Sequence, residues 1–125
     1  MNRDQNLTAL RPIIDSINIS DCVSIAETFQ NQVLRPILKL QSEIILLLFT
    51  NYIKKTHADF LKFSEFDRKK VITQILQKDL TLRNLLIGMV IGMMSVTELN
   101  TYYENEPELK KRTVKMLITR LIDQL

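Results

Sequence analysis

The chain has 125 residues, 46% of them hydrophobic and 25% charged, which suits one globular domain and argues against a disordered or fibrous segment. Two Gly and three Pro are too few for the tight turns of a sandwich or barrel, and a single Cys excludes an intrachain disulfide framework. The net charge of +3 is modest and evenly spread along the chain, so neither half is a polycation built for nucleic acid or anionic lipid.

In the first twenty residues Leu7, Leu10, Ile13, Ile14 and Ile17 recur at helical spacing, interrupted by Pro12. Pro fits a first helical turn, so a short helix over about 11–18 is expected, then a loop over 18–21. The stretch has no apolar core of signal-peptide type, so a cytoplasmic protein with Cys22 as a reduced, partly buried thiol is expected. Ser24-Ile25-Ala26-Glu27 is a capping-box pattern and starts a helix that should reach about residue 34. Pro36 has no amide hydrogen and crowds the carbonyl of Gln32, which predicts a kink or break and a restart at Pro36.

Residues 36–55 should form the central helix. Leu34, Leu38, Ile45, Leu48 and Tyr52 lie along one stripe, and Ile37, Leu40, Ile44, Leu47 and Ile53 along the next. A helix apolar on so much of its circumference belongs in the middle of a bundle. Ser64 and Asp67 begin the next helix, whose buried face is Val71, Ile72, Ile75 and Leu76. Asp79 or Thr81 caps a helix over 82–94, and Thr97 caps a short turn reaching Tyr103. Asn105-Glu106-Pro107-Glu108 opens the last helix, with Val114, Leu117, Ile118, Leu121, Ile122 and Leu125 as its apolar stripe. No segment alternates with period two for long enough to be a strand. The fold class is therefore all-α, an irregular or orthogonal bundle of five or six helices. It forms a single domain over 1–125, with residues 1–20 as a loosely packed N-terminal segment.

Gly88 and Gly92 are one helical turn apart, and each costs about 1 kcal/mol against Ala in a helix interior. The leading reading is a close contact inside the chain's own bundle, and a homodimer seam is the alternative. The apolar run over 85–94 is too short to span a bilayer, so no membrane partner is expected. Gln41 lies in the apolar stripe, so burial is expected, with Asn31, Arg35 or Asn84 satisfying its amide. Asp79 and Arg83 are spaced for a helical ion pair. His57, the only His, sits among Lys54, Lys55 and Asp59 and reads as solvated. One His and one Cys leave too few ligands for a closed transition-metal site, so no metal or cofactor is expected. Lys110, Lys111 and Arg112, with Lys115 and Arg120, form the densest basic stretch, read first as a solvated face and second as a contact for an acidic partner or nucleic acid.

Three strings stand out together: Phe29-Gln30-Asn31 with Leu34-Arg35-Pro36-Ile37-Leu38-Lys39-Leu40-Gln41, then Gln77-Lys78-Asp79 with Arg83-Asn84, then Gly88-Met89-Val90-Ile91-Gly92. They resemble a group of small bacterial proteins of this length, sometimes labelled "glyoxalase" without a demonstrated activity. Glyoxalase I-type enzymes use paired βαβββ modules and hold a metal on strands, whereas this chain offers one His and no clear strand.

The leading expectation is a non-enzymatic helical interaction or regulatory protein that binds a protein partner or a second copy of itself. The runner-up is a small-molecule binder or enzyme of the labelled group, with a polar site of Gln30, Asn31, Arg35, Gln41, Asp79, Arg83 and Asn84. The third is a nucleic-acid-associated protein acting through the basic C-terminal helix. Gly88, Gly92, Lys110, Lys111, Arg112 and Lys115 are the interface candidates.

Overall fold

Leu34, Ile37, Leu38, Ile45, Phe49 and Ile53 return to one side of a helix every three, four or seven residues, and all six are buried. That side is the centre of the molecule. The computed structural model describes residues 2–14 and 24–125, apart from the side chains of Ala58 and Leu61. Its helices are α1 (Arg3–Leu10), α2 (Ile25–Phe29), α3 (Arg35–Thr56), α4 (Glu65–Lys78), α5 (Leu80–Ile91), α6 (Val96–Glu104) and α7 (Glu106–Gln124). A π turn, Gln30–Leu34, joins α2 to α3, and a short 3₁₀ turn, Ala58–Lys62, precedes α4. The described residues contain no strand, and the fold is an all-α bundle in which α2, the π turn and α3 make one rod.

Of the kink or break and restart expected at Pro36, the structure shows a restart without a break in the helical path: the α-helical bonding gives way to a π turn and resumes with Pro36 in its first turn. Pro36 stands in the first turn of α3, and the chain passes through it in helical geometry. The preceding turn is wider than an α turn, with the amide of Arg35 bonded to the carbonyl of Gln30 five residues back. Such a turn takes in one extra residue, which makes room for the ring and the missing donor without ending the helix. Val33, Leu34, Pro36, Ile37 and Leu38 around it are all buried.

α3 packs on α5 and α7, α4 packs on the same two helices, and α6 packs on α7. Gln41 of α3 meets the end of α5, and Tyr52 meets its start, so α3 and α5 run antiparallel. Phe49 crosses Phe60 edge to face at 6.2 Å. On α7 the buried row is Leu109, Thr113, Leu117 and Leu121, one turn apart. Thr113 is tolerated there because its hydroxyl donates to the Leu109 carbonyl. Val114, Ile118 and Ile122 are half-buried beside that row, and Leu125 is exposed.

Several helix starts follow from local chemistry. Ser24, Ser64 and Asp79 accept from the amides of Glu27, Asp67 and Leu82 and so cap α2, α4 and α5. Ser95 rather than Thr97 caps α6, in a reciprocal box with Glu98. α5 ends at Ile91, three residues earlier than expected. The first helix also lies earlier than expected: Asn2 and Gln5 box the start of α1, and Arg11 to Ile14 are not helical. The remainder of the expected 11–18 helix, the 18–21 loop and Cys22 lie outside the described residues.

The corner between α5 and α6 is held by side chains from elsewhere. No described residue has positive φ, and Gly92 is right-handed, so the usual left-handed helix stop is not used. The Gly88, Val90 and Ile91 carbonyls accept from the amides of Gly92, Met93 and Met94. The Met89 carbonyl accepts from Gln41 Nε2 at 3.3 Å. Arg3 donates to the Gly92 and Met94 carbonyls, and Arg11 to that of Met93. Arg11 also forks onto Glu98 at 2.6 and 2.7 Å, and Asp4 accepts from the Val96 amide. α1 has no buried residue, and these polar contacts hold it against the bundle.

Burial pushes the Glu98 carboxyl up, but the hydrogen bonds from Arg11 and the Ser95 amide outweigh it and leave it below its usual value. Glu98 therefore adds stability above the ordinary carboxylate range, and that stability is lost as pH falls through its lowered folded value. Glu98→Gln should cost about 3 kcal/mol at neutral pH, because Arg11 loses its charged partner in a mostly buried setting. Thermal unfolding of both proteins across pH 7 to 3 checks this, and the gap between them should close towards acid.

Candidate functional site

The seven polar residues of the expected ligand site do not converge. Gln30 and Arg35 line a cleft against α7, and none of the other five does. Asn31 is half-buried in the π turn. Gln41 is only half-buried, and its amide partner is the Met89 carbonyl rather than Asn31, Arg35 or Asn84. Asn84 is exposed on α5. Arg83 reaches the Gln77 carbonyl at 3.4 Å and forms no ion pair with Asp79.

Asp79 is engaged elsewhere. It accepts from the Leu82 amide at 3.1 Å and from the Tyr52 hydroxyl at 2.8 Å, and His57 Nε2 lies 3.7 Å from the same carboxylate. Burial raises its carboxyl, while the Leu82 amide, Tyr52 and His57 together hold it below its usual value. The hydrogen bond to Asp79 pushes the Tyr52 phenol up. The His57 side chain keeps access to solvent, as expected, while its Nε2 also lies beside the Asp79 carboxylate. The three groups tie the end of α3 to the start of α5, and Asp79 is committed as the cap of α5.

The glycines face outward. Gly88 is exposed and a Cβ placed there would meet nothing within 4 Å. At Gly92 a Cβ would meet only the Gly88 carbonyl oxygen, at 3.2 Å. On the side where a Cβ would stand, neither glycine has another helix of the bundle against it, although Arg3 of α1 bonds the Gly92 carbonyl, and this corrects the reading of a close helix–helix contact. The second apolar stripe of α3 is likewise not enclosed: Ile44 is 55% exposed and Leu47 70%. On α5, Leu85 is 46% exposed.

These residues make one surface. Leu40, Ile44, Leu47, Leu48 and Asn51 recur at helical spacing on α3, and Thr81, Asn84, Leu85, Gly88 and Gly92 do so on α5. The Gln41 and Tyr52 contacts fix the two helices side by side, so Ile44 and Leu48 border the same groove as Leu85. None of the ten is charged. Phe66 is more exposed, but it stands among Glu65, Asp67, Arg68 and Lys69. A contiguous uncharged apolar face is the more informative feature.

The basic stretch divides. Lys111, Arg112 and Lys115 line the cleft against the π turn, while Lys110 is half-buried outside it. Arg112 donates to Gln30 Oε1 at 2.7 Å and to Glu108, which fastens α7 to the turn. Among the described residues no three of His, Cys, Asp and Glu are grouped to hold a metal ion. No helix among them is long and apolar enough to cross a membrane.

Because nothing in the chain's own bundle packs on Gly88, its cost is purely conformational. Gly88→Ala should stabilise the monomer by about 0.5–1 kcal/mol, a rise of a few degrees in Tm at protein concentrations low enough to keep it monomeric.

No protein-family model, curated protein or solved structure matches the chain.

Proposed function

We propose that the chain is a non-enzymatic interaction protein that associates with a second copy of itself through the outer face of α3 and α5. One observation carries this reading: Ile44, Leu47 and Leu85 stand open to solvent around a glycine that nothing fills. A two-fold interface sets the same patch against itself, so any charge on it meets its own like. Each copy carries +3 overall, and the middle of the α3–α5 face, Ile44, Leu47, Leu85 and Gly88, sets no charged side chain of its own across the two-fold. Gly88 lets the two helices approach closely, while Leu47 and Leu85 supply apolar area to bury.

The use of the titratable groups supports the same reading. Asp79, Glu98, Arg3 and Arg11 are spent on helix ends and on one another. They serve the scaffold, and the side that the scaffold leaves uncovered is the side proposed to bind.

Sedimentation from about 1 to 500 µM checks this, since a face of modest size gives micromolar association. The mass should rise from 14.6 kDa towards twice that value. Gly88→Glu and Leu47→Glu should each weaken association by more than about 100-fold while keeping the helical circular dichroism, because each sets like charges across the two-fold. Phe66→Glu, away from the face, should associate as the parent does. A parent that stays at 14.6 kDa throughout, or variants that all associate equally, would contradict the proposal.

A further inference from the structure

The open cleft between the π turn and α7 has a volume of about 1140 Å³. Its walls carry Arg35, Lys111, Arg112, Lys115 and Arg120 against only two carboxylates, Glu108 and Asp123. Arg112 and Glu108 neutralise one another at 3.1 Å. Four cations then face one remaining acid.

Arg35 and Arg120 are the unusual pair. Both are half-buried, and among the described residues neither has a hydrogen-bond or ion-pair partner. Partial burial, and then the nearby charge of Arg35, lower the Arg120 guanidinium below its usual value, with Asp123 opposing. Two guanidiniums that repel each other in a partly dry cleft cost the fold stability unless an anion lies between them. A guanidinium fork matches a phosphate group in bidentate geometry, and the lysines add point charges.

We propose that this cleft binds a small phosphate-bearing molecule with two or more phosphate groups, held by Arg35 and Arg120 with Lys111 and Lys115. The length of the charged wall sets the number of phosphates. From Lys111 to Arg120 it runs about 14 Å along the helix, further than one phosphate reaches. Met116 and Pro107 add apolar surface for an organic group. Glu108 and Asp123 stand before and after the cations along α7, and a carboxylate towards each end repels a polyanion running past. A ligand of finite length suits that arrangement and a nucleic-acid strand does not. The site is separate from the α3–α5 face and does not depend on the proposed self-association.

Calorimetric titration of the full chain with inorganic tripolyphosphate tests the proposal. One equivalent should bind and raise the melting temperature. Arg35→Gln and Arg120→Gln should each weaken binding at least about 10-fold without lowering the melting temperature of the unliganded protein, since each relieves a repulsion. Lys54→Gln, exposed about 28 Å along α3 from Arg35, should change binding less than about 2-fold, as a distant exposed charge does. Equal weakening by all three variants would show diffuse charge attraction and overturn the site. No saturable binding, or orthophosphate binding as tightly as tripolyphosphate, would overturn it too. So would a single-stranded oligonucleotide that binds more tightly than tripolyphosphate at moderate salt and loses that binding in the two arginine variants.

Discussion

A helix that stops leaves carbonyl groups without donors, and in this fold the stop after α5 is where that demand is greatest. The chain does not use a left-handed residue there. Every carbonyl from Gly88 to Met94 instead finds its donor, three of them in the next amides and four in the side chains of Gln41, Arg3 and Arg11. Those donors come from α3 and from the N-terminal segment, more than forty residues away in sequence. Satisfying one corner thus docks α1, which has no fully buried residue, and sets the register of α5 against α3. Glu98 closes the arrangement by capping α6 and balancing Arg11.

The second constraint is Pro36. The π turn just before it keeps α2 and α3 continuous, and that turn presents Gln30 and Arg35 to α7. Arg112 uses Gln30 as an anchor, leaving Arg35 opposite Arg120. The cationic cleft is therefore a consequence of how the chain passes a residue that cannot donate. The uncovered face has a related origin. α3 is apolar round most of its circumference, but α5 and α7 cover only part of it, and Ile44 and Leu47 are left outside.

Much of the helical layout was legible because its signals are local. Ser24, Ser64 and Asp79 act within three residues of themselves, and the α7 stripe repeats at helical spacing. Those signals do not report what lies across the bundle. Periodicity shows that Ile44 and Gly88 lie on helix faces but cannot say whether a neighbour covers them. Asp79 and Arg83 had the spacing for an ion pair, yet Tyr52 and the Leu82 amide took the carboxylate. Arg11 and Glu98 are 87 residues apart, and no pattern along the chain links them. Pro36 does perturb the helical bonding, as a residue without an amide hydrogen must. Its solution as a π turn depends on the buried residues packed around that turn, which is tertiary information.

Two surfaces of opposite character result, one uncharged on α3 and α5 and one cationic against α7. The first is the proposed meeting place of two copies of the chain. Methyl-resolved NMR over a concentration series tests that most directly, because it reports the contact residue by residue. As concentration rises, the methyls of Ile44, Leu47 and Leu85 should shift together, while those of Leu117 in the core and Met116 beside the cleft hold still. Shifts centred on Met116, or no concentration dependence at any of the three exposed methyls, would contradict it.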